Sequence, residues 1–302
     1  MFRLAHLSDV HLGPVPNLRF RDIFSKRVVG YTNWRQNRAT AMTAETLDRL
    51  VEDLRLQKPD HIAVTGDLTN IAMRAEFVNA RRWLEELGPP DRVTAIPGNH
   101  DAYVPRAHRR FRRLWAPWMV SDDALHVGSA LFPFMRRKGH VALIGVSSAV
   151  ASAPLMATGR VGGEQTERLV ELLDQARREH LFRVILIHHP PKLINPNNQW
   201  RKLTDGKRFR AAIERHGAEL ILHGHDHIRS MTSIKGLSGV VPVVGVPAGS
   251  GPPLGGPRAG GYALHDIAEN GACYELSVVH RGYADSGKIV ETARVAYSVN
   301  RP

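Results

Sequence analysis

Leu220-Ile221-Leu222-His223-Gly224-His225-Asp226-His227 joins two kinds of chemistry in eight residues. The opening apolar run has the pattern of a strand covered on both faces. The remainder crowds histidine and aspartate around a glycine, which permits a tight turn. The same junction recurs along the chain. Asp9-Val10-His11 follows the run Phe2–Leu7, and Gly66-Asp67 follows His61–Val64. Gly98-Asn99-His100-Asp101 follows Val93–Ile96, and His188-His189 follows Val184–Ile187. In α/β sheets ligands bind beyond the carboxyl ends of the strands, so polar clusters in that position can converge on one place.

Further strand-like runs cover Val141–Val146, Val240–Val246, Tyr262–Ile267 and Tyr274–Val279. Helical periodicity lies between the earlier runs. Leu47, Leu50, Val51 and Leu54 form one stripe, with Thr43 as its expected N-cap. Phe77, Ala80, Leu84 and Leu87 form a second stripe, Leu169, Leu172, Leu173 and Ala176 a third, and Phe209, Ala212 and Ile213 a shorter fourth. Strand–helix alternation of this kind predicts a layered α/β fold. The chain shows no internal repeat and no linker, so residues 1–302 are expected to form a single domain. Residues 231–302 read mainly as strands that complete a second sheet.

Apolar residues make up 43% of the 302-residue chain and charged residues 23%, which excludes global disorder. The net charge of +12 favours anionic partners such as phosphorylated metabolites, nucleic acid or lipid headgroups. A single cysteine, Cys273, rules out an intrachain disulfide and fits a reducing compartment. The N-terminus lacks a signal-peptide pattern, and the most apolar regions carry too much proline, glycine and serine for a membrane span. A cytoplasmic location is the expectation.

Aspartate, asparagine and histidine form a mixed oxygen and nitrogen ligand set without thiolate. That set suits first-row ions such as Mn, Fe or Zn. One ion normally takes three or four protein ligands, and about seven candidates are present, so two ions are expected. A carboxylate can bridge two metals, and Asp67 is best placed to do so. His6, His61, His126, His140, His216 and His280 lie outside the motifs and are expected to be ordinary, satisfied turn residues.

The ordered motifs resemble the calcineurin-like metallophosphoesterase superfamily, whose pattern is Asp-x-His, Gly-Asp, Gly-Asn-His-Asp/Glu, His and Gly-His-x-His. The resemblance runs over roughly residues 2 to 230. It implies a four-layer α/β/β/α sandwich of two mixed sheets flanked by helices. It also implies that Asp9, His11, Asp67 and His227 hold one metal, while Asp67, Asn99, His188 and His225 hold the other. A metal-bridging hydroxide would be the nucleophile, His100 would sit over the phosphate, and Asp101 would orient its ring. Of the neighbours His188 and His189, His188 matches the family position and directly follows the strand.

The segments Gly66-Asp67-Leu68-Thr69-Asn70 and Ile187-His188-His189-Pro190-Pro191 resemble the bacterial class III cyclic-nucleotide phosphodiesterase branch. Cyclic nucleotides are therefore the first candidate substrates. The alternative is a nucleotide-linked lipid pyrophosphate, such as UDP-diacylglucosamine, cleaved at the inner membrane surface. A nuclease or a non-catalytic scaffold ranks lower, because no DNA-binding module is visible and no ligand position is lost. Arg19 to Arg38 interleaves six basic residues with Phe20, Phe24, Tyr31 and Trp34. Arg106 to Arg113 carries five arginines and precedes Trp115 and Trp118. Such segments can form a basic, aromatic rim for peripheral membrane contact or for single-stranded nucleic acid. They can equally be solvated helices packed on the body of the protein.

Overall fold

The computed structural model describes residues 1–18, 25–37, 44–122 and 131–301. Thr43 and His126 lie outside them. Two six-stranded mixed sheets carry the fold. The first runs in the order β12 (Ile289–Asn300), β11 (Cys273–Tyr283), β10 (Gly261–Asn270), β1 (Phe2–Leu7), β2 (His61–Val64) and β3 (Val93–Ala95). The second runs β4 (Phe134–Lys138), β5 (Val141–Gly145), β6 (Phe182–Leu186), β7 (Leu220–His223), β9 (Gly239–Gly245) and β8 (Ser230–Gly236). Strands β1, β2 and β3 are parallel, as are β5, β6, β7 and β9.

The period-2 alternation of side chains explains the layering. In β6 and β7, Val184, Leu186, Leu220 and Leu222 enter the core that the two sheets share with Leu4, Leu7 and Val64. Their neighbours Ile185, Ile187 and Ile221 face the other way, against Leu169 and Leu173 of α5 (Gly163–Arg178) and Phe209 and Ile213 of α6 (Gly206–His216). On the first sheet, the apolar stripes of α2 (Ala44–Leu56) and α3 (Arg74–Leu87) join the larger core. Each fully buried Leu, Ile or Phe contributes about 1.5–3 kcal/mol. The result is the expected α/β/β/α arrangement of two mixed sheets between helices.

The C-terminal strands divide differently from the sequence expectation. β8 and β9 complete the second sheet, but β10, β11 and β12 extend the first as an antiparallel meander that begins with β10 paired antiparallel to β1. The reason is the partner each strand finds. β10 pairs with the open edge of β1 over five residues, Phe2 to His6, and places Tyr262 and Leu264 in the shared core.

Several histidines outside the motifs are not turn residues. His6, His61 and His280 sit on β1, β2 and β11 and are buried; His265 on β10 is equally buried. His6 reaches Thr65 Oγ1 at 2.9 Å and His61 reaches Thr94 Oγ1 at 2.7 Å, but His265 and His280 have no hydrogen-bond partner on either ring nitrogen among the described residues. His216 instead ends α6 and pairs with Asp174 at 3.0 Å. Burial lowers the pKa of His265 to about 3 and that of His280 to about 4, and pushes His6 well below its ordinary value. These rings are neutral in the core. Because the folded pKa lies below the unfolded one, their contribution is complete above about pH 6.5 and is lost progressively as pH falls from there toward the folded values of about 4 and about 3. Urea midpoints are therefore expected to drop between about pH 6 and pH 4. His265→Phe, which cannot take a proton, is expected to reduce the slope; an unchanged slope would show that this ring does not contribute to it.

Candidate metal centre

The parallel strands of both sheets deliver their C-terminal ends to one region. Asp9 and His11 follow β1, Asp67 follows β2, and Asn99, His100 and Asp101 follow β3. His188 follows β6, and His225 and His227 follow β7. The backbone is bent sharply there. Asp9 (φ 54°), His11 (φ 40°), Asp67 (φ 56°), His225 (φ 71°) and His227 (φ 56°) all lie in the left-handed region. Non-glycine residues adopt it at a cost of order 1 kcal/mol each, and strain of this kind clusters at functional sites. Two glycines allow the loops to touch. A Cβ on Gly98 would collide with Asp67 Oδ1, and one on Gly224 with Ser8 Oγ and Asp9 Oδ2.

The side chains assemble into two donor groups. Donor atoms of Asp9, His11, Asp67 and His227 lie within 4.8 Å of one another, and so do those of Asp67, His188 and His225. Asp67 belongs to both. Asn99 joins the second through its Oδ1, 3.1 Å from His188 Nε2. His189 lies outside both groups, because its Nδ1 meets Ser148 Oγ at 2.7 Å and its Nε2 meets the Ala157 carbonyl at 3.1 Å.

The hydrogen bonds behind these groups fix which atoms point inward. His188 Nδ1 donates to the Thr65 carbonyl at 2.7 Å, which leaves the Nε2 lone pair facing Asp67 Oδ2 at 3.2 Å. His11 Nδ1 donates to the Thr69 carbonyl at 3.2 Å, which leaves its Nε2 3.2 Å from Nε2 of His227. His225 Nε2 donates to the Arg201 carbonyl at 3.0 Å, so Nδ1 is its inward atom. Backbone amides hold the outer carboxylate oxygens: His225 N donates to Asp9 Oδ2 at 2.9 Å and His100 N to Asp67 Oδ1 at 2.8 Å. Asp9 Oδ1 is buried and sits 3.0 Å from His227 Nε2. Acceptors therefore converge on acceptors. Such an arrangement fits cations between them, and carbonyls that accept the outer ring N–H and so set the imidazole tautomer are the usual support for metal ligands.

The electrostatics agree. Burial alone would raise the Asp9 pKa, but the rings of His227, His188 and His11 more than offset it, so the carboxyl is held well below its ordinary range. Burial would lower His188, but Asp67 and then Asp9 raise it to about 9. Two buried carboxylates thus demand positive charge nearby. His189 is pushed down to about 3 by burial and by His188, and burial also lowers His225; both rings are neutral, and neutral imidazole is the ligating form.

The expected role of Asp101 needs correction. Its carboxylate accepts from the amides of Thr69 (2.9 Å), Gly98 (2.9 Å) and Leu68 (3.3 Å) and from Thr69 Oγ1 (3.0 Å), so it ties the β2 and β3 loops together. The His100 ring instead has Nδ1 2.5 Å from the Asn70 carbonyl, and it stacks on Tyr103 with centroids 5.6 Å apart. The four donors to Asp101 thus come from two loops, and the partner of His100 Nδ1 is a main-chain carbonyl.

The basic, aromatic segments also resolve in part. Residues 19–24 and 38 lie outside the described residues. Tyr31 and Trp34 of α1 (Arg27–Asn37) pack against the core, and their rings lie 5.9 Å apart. Trp115 and Trp118 are buried, with indole bonds to the carbonyls of Phe77 and Gly88, so they form no rim. No helix among the described residues is long and apolar enough to cross a membrane. Sequence reasoning gave no individual role to Thr65, Thr69 and Asn70, which surround the Gly66-Asp67 motif and offered a signal by position. It also missed Arg201, whose guanidinium bonds the His225 carbonyl and which no motif marks.

A family model described as calcineurin-like phosphoesterase matches residues 2–229. The chain belongs to this family. A probable cyclic nucleotide phosphodiesterase from Synechococcus is 28% identical over 177 residues, which cover 58% of this chain and 60% of that relative's length. The glycerophosphodiester phosphodiesterase GpdQ from Enterobacter lignolyticus is 27% identical over 236 residues, covering 77% of this chain and 73% of the relative. The fold is similar to that of a dimetal phosphatase from Danio rerio, at 12% identity and a TM-score of 0.65 over 99% of each chain. Family membership and the donor geometry point to the same test. Asp67→Asn is expected to weaken binding of Mn(II) or Zn(II) at both groups by more than the roughly 10–100-fold typical of a lost supporting contact. Calorimetric titration with each metal checks this; loss confined to one group would show that Asp67 is not shared.

Proposed function

We propose that the protein hydrolyses phosphodiesters at two metal ions held by these donor groups. The sharing of Asp67 between the groups carries this reading, since it sets two cation positions side by side. Bound ions would offset charge on the phosphoryl oxygens and make water a stronger nucleophile. The chain's own residues do the rest. The carbonyls of Thr65, Thr69 and Arg201 hold three imidazoles in the ligating tautomer. The Asn70 carbonyl takes Nδ1–H of His100, whose ring lines the cavity. A protonated His100 can donate from Nε2 to the departing alkoxide, the group that a diester expels with most difficulty. Tyr103 and His11 hold that ring on two sides, with His11 edge-on at 4.8 Å.

The two curated relatives are both named as phosphodiesterases, which supports a diester over a monoester. Cyclic nucleotides and glycerophosphodiesters are the first substrates to compare. Bis(p-nitrophenyl) phosphate is expected to turn over only when Mn, Zn or Fe is supplied, and faster than the monoester; the absence of turnover with all three metals would sink the proposal. His100→Ala is expected to lower kcat by about 10²–10⁴ on alkyl diesters while the metal content is retained. The loss should shrink with p-nitrophenolate, which needs little protonation. Equal losses on both leaving groups would remove His100 as the proton donor.

A further inference from the structure

A cavity of about 650 Å³ opens beside Asn99 and His100. Its outer wall is unusual. Of the eleven large apolar side chains that are exposed among the described residues, four line this one cavity: Val29, Leu155, Met156 and Trp200. Singly scattered exposed apolar residues need no explanation, but a cluster beside a reactive site does. Leu155 is the extreme case. It is 80% exposed and its φ is 63°, so an apolar, branched side chain is kept in water on a backbone that favours glycine.

The wall is also built rather than loose. Lys26 Nζ, at the start of α1, donates to the Ser152 carbonyl (3.2 Å), Ser152 Oγ (3.0 Å) and the Met156 carbonyl (3.0 Å). Ala157 N donates to the Trp200 carbonyl at 2.9 Å. The next residue, Arg201, exchanges bonds with His225 in both directions, through its guanidinium and through its carbonyl. Three separate chain segments are thus tied to one another and to a candidate metal ligand. A wall ordered in advance lowers the cost of binding.

We propose that this cavity receives a bulky apolar limb of the diester, aryl or alkyl, and that Leu155 and Trp200 are its specificity-determining side chains. The inference rests on the phosphodiester reading above. A glycerol-sized, polar limb would leave the exposed apolar surface of Val29, Leu155 and Met156 wet. A phenyl or octyl group would cover the wall. The difference between one apolar group and none in such a pocket is on the order of tenfold or more in kcat/KM.

The experiment compares methyl diesters of three primary alcohols, glycerol, 2-phenylethanol and octanol, on the Mn-loaded protein. Methyl p-nitrophenyl phosphate serves as the control for hydrolysis itself. The 2-phenylethyl or the octyl ester is expected to exceed the glyceryl ester by about tenfold or more, and which of the two leads identifies a flat or a chain-like limb. Leu155→Gly removes the exposed side chain where glycine is the relaxed residue, so the fold is expected to tolerate it. That variant and Trp200→Ala should each cut the preference for the apolar limb. In parallel, calorimetry measures binding of the methyl esters of 3-phenylpropylphosphonic and 3,4-dihydroxybutylphosphonic acid, whose P–C bond to the limb cannot be hydrolysed, and the same preference is expected. Equal kcat/KM for all three esters, or a preference that both variants leave intact, would overturn the inference. No metal-dependent hydrolysis even of methyl p-nitrophenyl phosphate would overturn the hydrolase reading instead, and the phosphonate titration would then still judge the pocket.

Discussion

The structure depends on one constraint: two buried carboxylates, Asp9 and Asp67, face imidazole lone pairs whose protons have been turned outward. Lone pairs and negative charge repel in a low-dielectric interior, where electrostatic energies are far larger than in water. The arrangement is tolerable only with positive charge at its centre. His188 already shows this demand, because its neighbouring carboxylates raise its affinity for a proton despite complete burial. A divalent ion meets the demand more fully than a proton does, since it accepts several lone pairs at once.

The fold is arranged around that constraint. Two sheets packed face to face bring five strand ends together from both sides, so no single loop has to supply more than two ligands to the cluster. The left-handed backbone at Asp9, His11, Asp67, His225 and His227 is the cost of turning those side chains inward immediately after a strand. Carbonyls left over from the same turns then serve as acceptors for Nδ1 of His11 and His188. Strain and support therefore arise from one feature. Metal bound by these groups would be coupled to folding, because ligands gathered at such cost are released when the chain unfolds.

The central strands were legible in the sequence because both of their faces are buried. β1, β2, β5, β6 and β7 are near-continuous apolar runs. The strands that sequence reasoning overlooked, β4, β8 and β12, all lie at sheet edges and carry polar or charged residues, Arg136-Arg137-Lys138 being one case. Edge strands are commonly blunted in this way, which erases the pattern that would reveal them. The site motifs were legible because glycine, aspartate and histidine mark turns and ligands by residue type. Their supports were not, because a main-chain carbonyl such as that of Thr65, Asn70 or Arg201 has no signature in sequence. Asp101 was misjudged for the same reason: its partners are mostly backbone amides.

A polar centre and an apolar wall in one cavity reinforce each other. Apolar surface beside Asn99 and His100 excludes water when a ligand covers it. With water gone, the field of the charged cluster acts on the phosphate with less screening. The wall is anchored through Arg201 to His225, so displacement of the wall would also disturb an imidazole of the cluster. Binding of the organic limb and positioning of the reacting phosphate are thus mechanically linked. That linkage is how remote binding energy can be used at a reacting centre rather than merely holding the substrate.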